Sequence, residues 1–211
     1  SYGDLWKPEH ASGVTVRGHS ALVGIGLWLE KMGKLPFPLL ESYKSEKAMR
    51  ANFDVILKEA VAHKDMIAQF WSTENEAQGA FRTNGAVIGQ TWDSTAFKLG
   101  EEGEPIAYGA PKEGALAWME GFVIPKNANN VDAVYEFINW YYTPEAGAMF
   151  VKATGYNSTA KGASELLPES TKAFFNNSYS QQDLANLWWW PIQEPWYVAL
   201  RNEFQARYLS A

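Results

Sequence analysis

Short β-branched runs alternate with longer helical stretches along this chain, and that order limits the fold more than any other feature. Residues 14–16 (Val-Thr-Val) read as a strand, Gly18-His19-Ser20 as a turn, and 21–31 as an apolar stretch with helical spacing. Within that stretch, Gly24-Ile25-Gly26 is explained by close helix packing. A second helix is expected over 45–63, where Met49, Phe53, Ile56 and Ala60 share one face. Residues 70–76 read as a loop and 77–81 as a helical turn. After the Asn84-Gly85 turn, 86–92 reads as a strand, and 101–104 as a solvated acidic connection. Residues 115–125 read as a strand with Leu116, Trp118, Glu120, Phe122 and Ile124 on one side. The last third is helical. Asn130 is a candidate cap for a helix over 131–142, Thr143-Pro144 opens another that Gly155 closes, and Pro195 begins a last one with Trp196, Leu200, Phe204 and Tyr208 along one face. Strands separated by helices indicate an α/β architecture.

Composition narrows the function. The 211 residues carry 18 Lys plus Arg against 24 Asp plus Glu, a formal charge of −6. That balance argues against a reader of the phosphate backbone, which would cluster basic residues. With no Cys, the chain has no disulfides, thiolate zinc sites or thiol nucleophile, and it suits an oxidising or a reducing compartment. The longest apolar run, 21–29, is about half the ~20 residues of a membrane helix. The opening Ser1-Tyr2-Gly3-Asp4 lacks the basic start and apolar segment of a signal peptide. Ten Trp accompany ten Tyr and eleven Phe, which implies either an aromatic core or a stacking surface for a ligand.

Several chemistries can be set aside. Gly18-His19-Ser20 approaches the nucleophile elbow G-x-S-x-G, but Leu22 stands where the second Gly belongs. His63 is the sole His after Ser20, and Asp54, the one intervening Asp, shares its helix, so no triad assembles. His10, His19 and His63 form no metal-ligand spacing, and no phosphate loop is complete. Carboxylates beside tryptophans are more informative: Trp92-Asp93 and Trp118-Met119-Glu120. A glycosidase uses acids next to aromatic platforms. A cleft for a cationic ligand uses the same parts to hold an ammonium. Core filling is the ordinary alternative for each Trp.

Taken in order, Ser1-Tyr2-Gly3-Asp4-Leu5-Trp6-Lys7-Pro8, Gly24-Ile25-Gly26-Leu27, Thr91-Trp92-Asp93-Ser94-Thr95-Ala96-Phe97, Pro111-Lys112-Glu113-Gly114, Trp118-Met119-Glu120-Gly121, Ile138-Asn139-Trp140 and Pro144-Glu145-Ala146 resemble the spermidine/putrescine-type periplasmic solute-binding proteins of bacterial ABC importers. The resemblance implies a periplasmic-binding-protein type II fold, of two α/β lobes closing on a ligand, present here incompletely. It places residues 1–118 mainly in lobe two, 119–165 in a crossover strand and helices returning to lobe one, and 166–211 in helices packing back across. It implies a periplasmic, non-catalytic protein without cofactor or metal. Such a protein binds a small amine or zwitterion and hands it to an ABC transporter permease. A first lobe lacking its leading strands would expose apolar faces and favour self-association.

By the same resemblance, Trp92 and Trp118 sandwich an aliphatic amine, Glu120 holds its ammonium, and Asp93 is a weaker contact. Gln193, just after Trp188-Trp189-Trp190, lies near a C-terminal ligand contact. One departure matters. The acidic pair D-x-x-E that polyamine binders carry before the glycine-rich helix falls here on Gly18 and Ala21, while Arg17, His19 and Ser20 crowd the turn. Such a turn suits an anionic group. The expected ligand is therefore polyamine-like or γ-aminobutyrate-like, with Arg82 a lesser cation candidate. The rival is a carbohydrate-active enzyme using Asp93 and Glu120, and a tryptophan-rich interaction domain is a third reading.

Overall fold

A computed structural model describes all of residues 1–211. The chain forms two compact units, Ser1–Trp92 with Ala110–Ala117 and Gln181–Ala211, and Asp93–Gly109 with Trp118–Ser180. Residues 93–109 belong with the later unit, and 110–117 and 181–211 with the earlier one.

The first unit is built on three parallel strands, β1 (Val14–Val16), β2 (Ile67–Phe70) and β3 (Ile88–Gly89), in the order β2-β1-β3. Helix α1 (Gly18–Lys31) follows β1 directly. The expected turn at 18–20 is its first turn, because the Arg17 carbonyl already accepts the Ala21 N–H at 2.8 Å. Its residues are apolar on nearly every side, and Leu22, Ile25 and Leu29 are fully buried, as in a helix enclosed by its neighbours. Gly26 is where α1 meets α2 (Glu46–Ala62): a Cβ there would come within 3.0 Å of Ile56 and 3.1 Å of Leu39.

Ser45 caps α2 through the Ala48 N–H, and Met49, Phe53, Ile56 and Ala60 are buried along the expected face. Helix α3 (Glu74–Arg82) begins three residues before the expected helical turn. Thr73 and Glu76 form a capping box there, a signal overlooked in the sequence.

Residues 110–117 belong to this unit through hydrogen bonds far along the chain. The buried Glu113 carboxylate accepts the Tyr2 N–H at 3.1 Å, and the Tyr2 hydroxyl donates to the Gly114 carbonyl. The expected strand over 115–125 is only β4 (Leu116–Ala117), paired in parallel with β5 (Trp188–Trp189). The Trp190 N–H still reaches the Ala117 carbonyl, but Pro191 then follows and has no N–H to extend the ladder. The expected strand over 86–92 is likewise confined to β3.

The later unit contains α4 (Asp93–Glu101), α5 (Val131–Tyr141), α6 (Pro144–Thr154) and α7 (Glu169–Ser178). Helix α4 was not expected, since Asp-Ser-Thr is a weak helix start by propensity. Burial of Thr95, Ala96, Phe97 and Leu99 outweighs that. Phe97 packs on Phe174 and Phe175 of α7. Thr143 caps α6 and Gly155 ends it at φ 79°, as expected, whereas Asn130 makes no side-chain cap on α5. Short α8 (Gln181–Ala185) and α9 (Pro195–Ser210) return to the first unit. Along α9 the buried residues are Tyr197, Leu200, Phe204 and Tyr208. Tyr197 takes the core position expected of Trp196, and its ring stacks on Tyr43 at 4.2 Å. No helix is long and apolar enough to cross a membrane.

Candidate ligand site

The first unit holds five of the sequence candidates, Arg17, His19, Ser20, Trp92 and Gln193. Arg17 occupies the N-cap position, where chain direction changes from β1 to helix. Its guanidinium carbon lies 5.2 Å from the centre of the Trp92 ring and 5.7 Å from that of Trp71. The two indoles meet edge to face, 4.8 Å apart at 75°. Trp71 was not among the candidates, because it falls in the stretch read as a loop. Its N–H prolongs the β2 ladder to the Val16 carbonyl at 3.1 Å, and its indole N–H donates to the Gln90 carbonyl at 3.0 Å. Two hydrogen bonds therefore hold the ring against which Arg17 lies. Such cation–aromatic contacts contribute about 0.5–2 kcal/mol, more as water is excluded.

His19, in the first turn of α1, packs on Trp190 at 5.8 Å. Burial pushes its pKa down to about 4, and the nearby charges of Arg17 and Arg201 push the same way. Its imidazole is consequently neutral at pH 7. Ser20 follows, and its carbonyl accepts the Gln90 side-chain N–H at 3.1 Å. Gln193 accepts a hydrogen bond from Arg201 at 2.7 Å, which ties it to the second arginine acting on His19. Trp188 packs on Tyr43 and Trp190, whereas Trp189 is about half exposed. Gly18 and Ala21, where an acidic pair would have stood, are both buried.

The later unit holds the other candidates. Trp118 and Glu120 lie outside any strand, so their closeness does not come from strand alternation. A direct hydrogen bond joins them: the Trp118 indole N–H donates to the Glu120 carboxylate at 3.2 Å. Trp118 is 40% exposed, and Tyr156 stands edge-on to it at 6.1 Å. This is an accessible ring with an acid fixed at its rim, able to receive an ammonium group.

Asp93 makes two hydrogen bonds within its unit. One carboxylate oxygen accepts the Ser94 N–H at 2.9 Å at the start of α4, and the other accepts the Tyr179 hydroxyl at 3.2 Å. Tyr179 in turn packs on Tyr108, and burial raises the pKa of both phenols, with the Asp93 charge adding to the shift. The acid thus anchors a tyrosine pair within its unit. Arg82, the lesser cation candidate, donates to Gln78 one turn back on α3 at 2.7 Å. No three His, Asp or Glu residues group as a metal site.

Comparison with known proteins adds the following. Residues 41–176 match the family model described as bacterial extracellular solute-binding protein. The spermidine/putrescine-binding periplasmic protein of Escherichia coli (strain K12) is 26% identical over 167 residues, which cover 79% of this chain and 44% of that protein. The putrescine-binding periplasmic protein PotF of the same organism is 31% identical over 80 residues, 37% of this chain and 22% of that one.

Among solved structures, the spermidine/putrescine substrate-binding protein PotD of Streptococcus pneumoniae superposes with a TM-score of 0.72 at 22% identity. A Listeria monocytogenes protein assigned to a spermidine/putrescine ABC transporter reaches 0.76 at 20% identity. Each superposition covers 99% of this chain and 61% of the other. The fold is thus the α/β periplasmic-binding-protein fold expected from the sequence, represented in part. The chain spans less than half the length of the curated relatives it matches.

Proposed function

This chain belongs to the bacterial extracellular solute-binding protein family, and from that premise we propose that it captures a small amine or zwitterion outside the cytoplasmic membrane for delivery to an ABC transporter permease. The observation that carries this reading is the Trp118–Glu120 pair. An exposed indole hydrogen-bonded to a carboxylate offers an ammonium both a π face and a counter-charge. The names of the relatives, spermidine/putrescine-binding and putrescine-binding periplasmic proteins, support an amine as the solute class. Trp92, Arg17, His19 and Ser20 are proposed as solute contacts of the first unit, with Gln193 behind them through Arg201. The reading is of a binding protein without turnover. Against the glycosidase alternative, both oxygens of Asp93 are engaged in holding the start of α4 and Tyr179.

Calorimetric titration of the chain with putrescine, spermidine and γ-aminobutyrate tests it. One of these binds saturably, and Glu120→Gln or Trp118→Ala weakens that binding by about tenfold or more, the effect of losing one charge-assisted or cation–aromatic contact. Heat signals absent for all three compounds would refute the proposal. So would sugar hydrolysis that disappears in Glu120→Gln.

We also propose that a second copy of the chain covers the apolar surface of α5. No residue of that helix is buried, and Phe137 and Trp140 are each about half exposed beside Phe122. Aromatic surface of this kind is what protein interfaces bury at their centres.

A further inference from the structure

The small-solute reading leaves open what the first unit offers the solute, and Arg201 bears on it. This arginine stands in the second turn of α9 and is partly buried. A guanidinium carries five N–H donors. Nε and Nη2 both donate to the Asn202 side-chain oxygen, at 3.3 and 3.1 Å, and Nη1 donates to the Gln193 oxygen at 2.7 Å. Both acceptors are neutral amides, and one N–H on each Nη remains for a further partner.

No carboxylate offsets this charge. Of the acids closest along the chain, Glu203 turns to Arg50 at 3.6 Å and Arg207 at 3.8 Å, and Glu194 lies beyond ion-pair distance. The groups its charge reaches across the unit are His19, which is neutral, and the phenols of Tyr43 and Tyr197. Trp190 and Gln193 fix the place: the Trp190 ring packs on His19 at 5.8 Å, and Gln193, three residues on, holds Nη1. The first turn of α1 brings no acid either, since Gly18, His19, Ser20 and Ala21 stand there. A partly buried guanidinium in neutral surroundings repels an ammonium. It gains charge-assisted hydrogen bonds from a carboxylate.

We infer that Arg201 is a specificity-determining residue: a cation held by neutral amides, with Gln193 as its positioning residue, that receives a carboxylate of the solute and so favours an ω-amino acid over a plain amine. The inference rests on the small-solute reading above and narrows it. It asks for a group that the names of the polyamine-binding relatives do not imply.

Calorimetric titrations with γ-aminobutyrate, putrescine and n-butylamine, which has a methyl group in place of the carboxylate, test it. The unaltered chain is expected to bind γ-aminobutyrate at least tenfold more tightly than either of the others. Arg201→Gln is expected to bring γ-aminobutyrate and n-butylamine within about threefold of each other, at an unchanged thermal midpoint. A second readout is the His19 imidazole, followed by NMR against pH. Its midpoint is expected to rise from about 4 with γ-aminobutyrate bound and not with n-butylamine bound, because a carboxylate at Arg201 offsets one of the two charges that add to burial in keeping the ring neutral. Gln193→Ala is expected to shrink that rise along with the affinity. Putrescine or n-butylamine binding as tightly as γ-aminobutyrate, or more so, overturns the inference while leaving amine capture standing. A tenfold preference that survives in Arg201→Gln overturns the assignment to Arg201. Failure of all three compounds to bind overturns both readings. If Arg201→Gln does not fold, the His19 midpoint in the unaltered chain decides: a rise with both ligands, or with neither, overturns the inference.

Discussion

Individual residues near the start of α1 were partly legible from the sequence. Arg17, His19 and Ser20 were identified as a cationic turn, and they do cluster, but the reason is the short step from β1 into the helix. The packing of Arg17 against an edge-to-face pair of indoles is not legible, since Trp71 lies 54 positions away at the end of another strand and no local pattern joins them. Trp118 and Glu120 are neighbours through a side-chain hydrogen bond and not through the strand alternation expected of them.

His19 supplies a pH test. Its folded pKa, about 4, lies below the ordinary 6.5 through burial first and the two arginines second. The unfolded chain therefore binds the proton more readily between those values. Stability is complete above pH 6.5 and falls as pH drops from there through 4, by roughly 3 kcal/mol from this group. His19→Gln, compared with the parent by urea unfolding at pH 7 and pH 4, should lose less stability on acidification. An equal loss in both proteins would show that the imidazole is not held neutral by its surroundings.

At the level of elements, the long periodic helices and both ends of α6 are readable, because burial along one face and a capping residue are local properties, although Asn130 makes no cap and the Thr73–Glu76 box goes unread. Ser45, Thr143 and Gly155 stand at helix ends as their chemistry suggests. Elements whose existence depends on distant partners were not readable. The length of β4 is set by Pro191, some seventy positions on, and α4 forms because Phe97 has Phe174 and Phe175 to pack against.

Gly155 connects this to energetics. It adopts φ 79°, and a Cβ would come within 2.8 Å of Phe97 and 3.1 Å of the Ser94 backbone. Gly155→Ala is therefore expected to cost roughly 2–4 kcal/mol, from left-handed strain plus the clash. Gly79→Ala in α3, where nothing lies within 4 Å of the added methyl, should instead stabilise by up to about 1 kcal/mol. Thermal or urea denaturation separates the two; similar shifts in both variants would refute this account of the α6 terminus.

For the whole molecule, the α/β class and the family are legible because they rest on order and motif. Residues 93–109 depart from the unit that precedes them, and 110–117 and 181–211 rejoin it through β4, β5 and Glu113. Such a path depends on pairings between remote segments. The exposed aromatic surface of α5 belongs to this scale also. Sedimentation velocity should show mass rising with concentration, and Trp140→Asp should suppress the rise. A monomer at every concentration would remove the second-copy proposal and leave solute capture untouched.

The central claim, that this chain binds a small charged solute through tryptophan and acid, is tested most directly by following tryptophan emission during titration with γ-aminobutyrate, putrescine and spermidine. The account predicts a saturable change with at least one of them, diminished in Trp118→Ala. Emission that stays constant for all three compounds, with calorimetry equally silent, would contradict it.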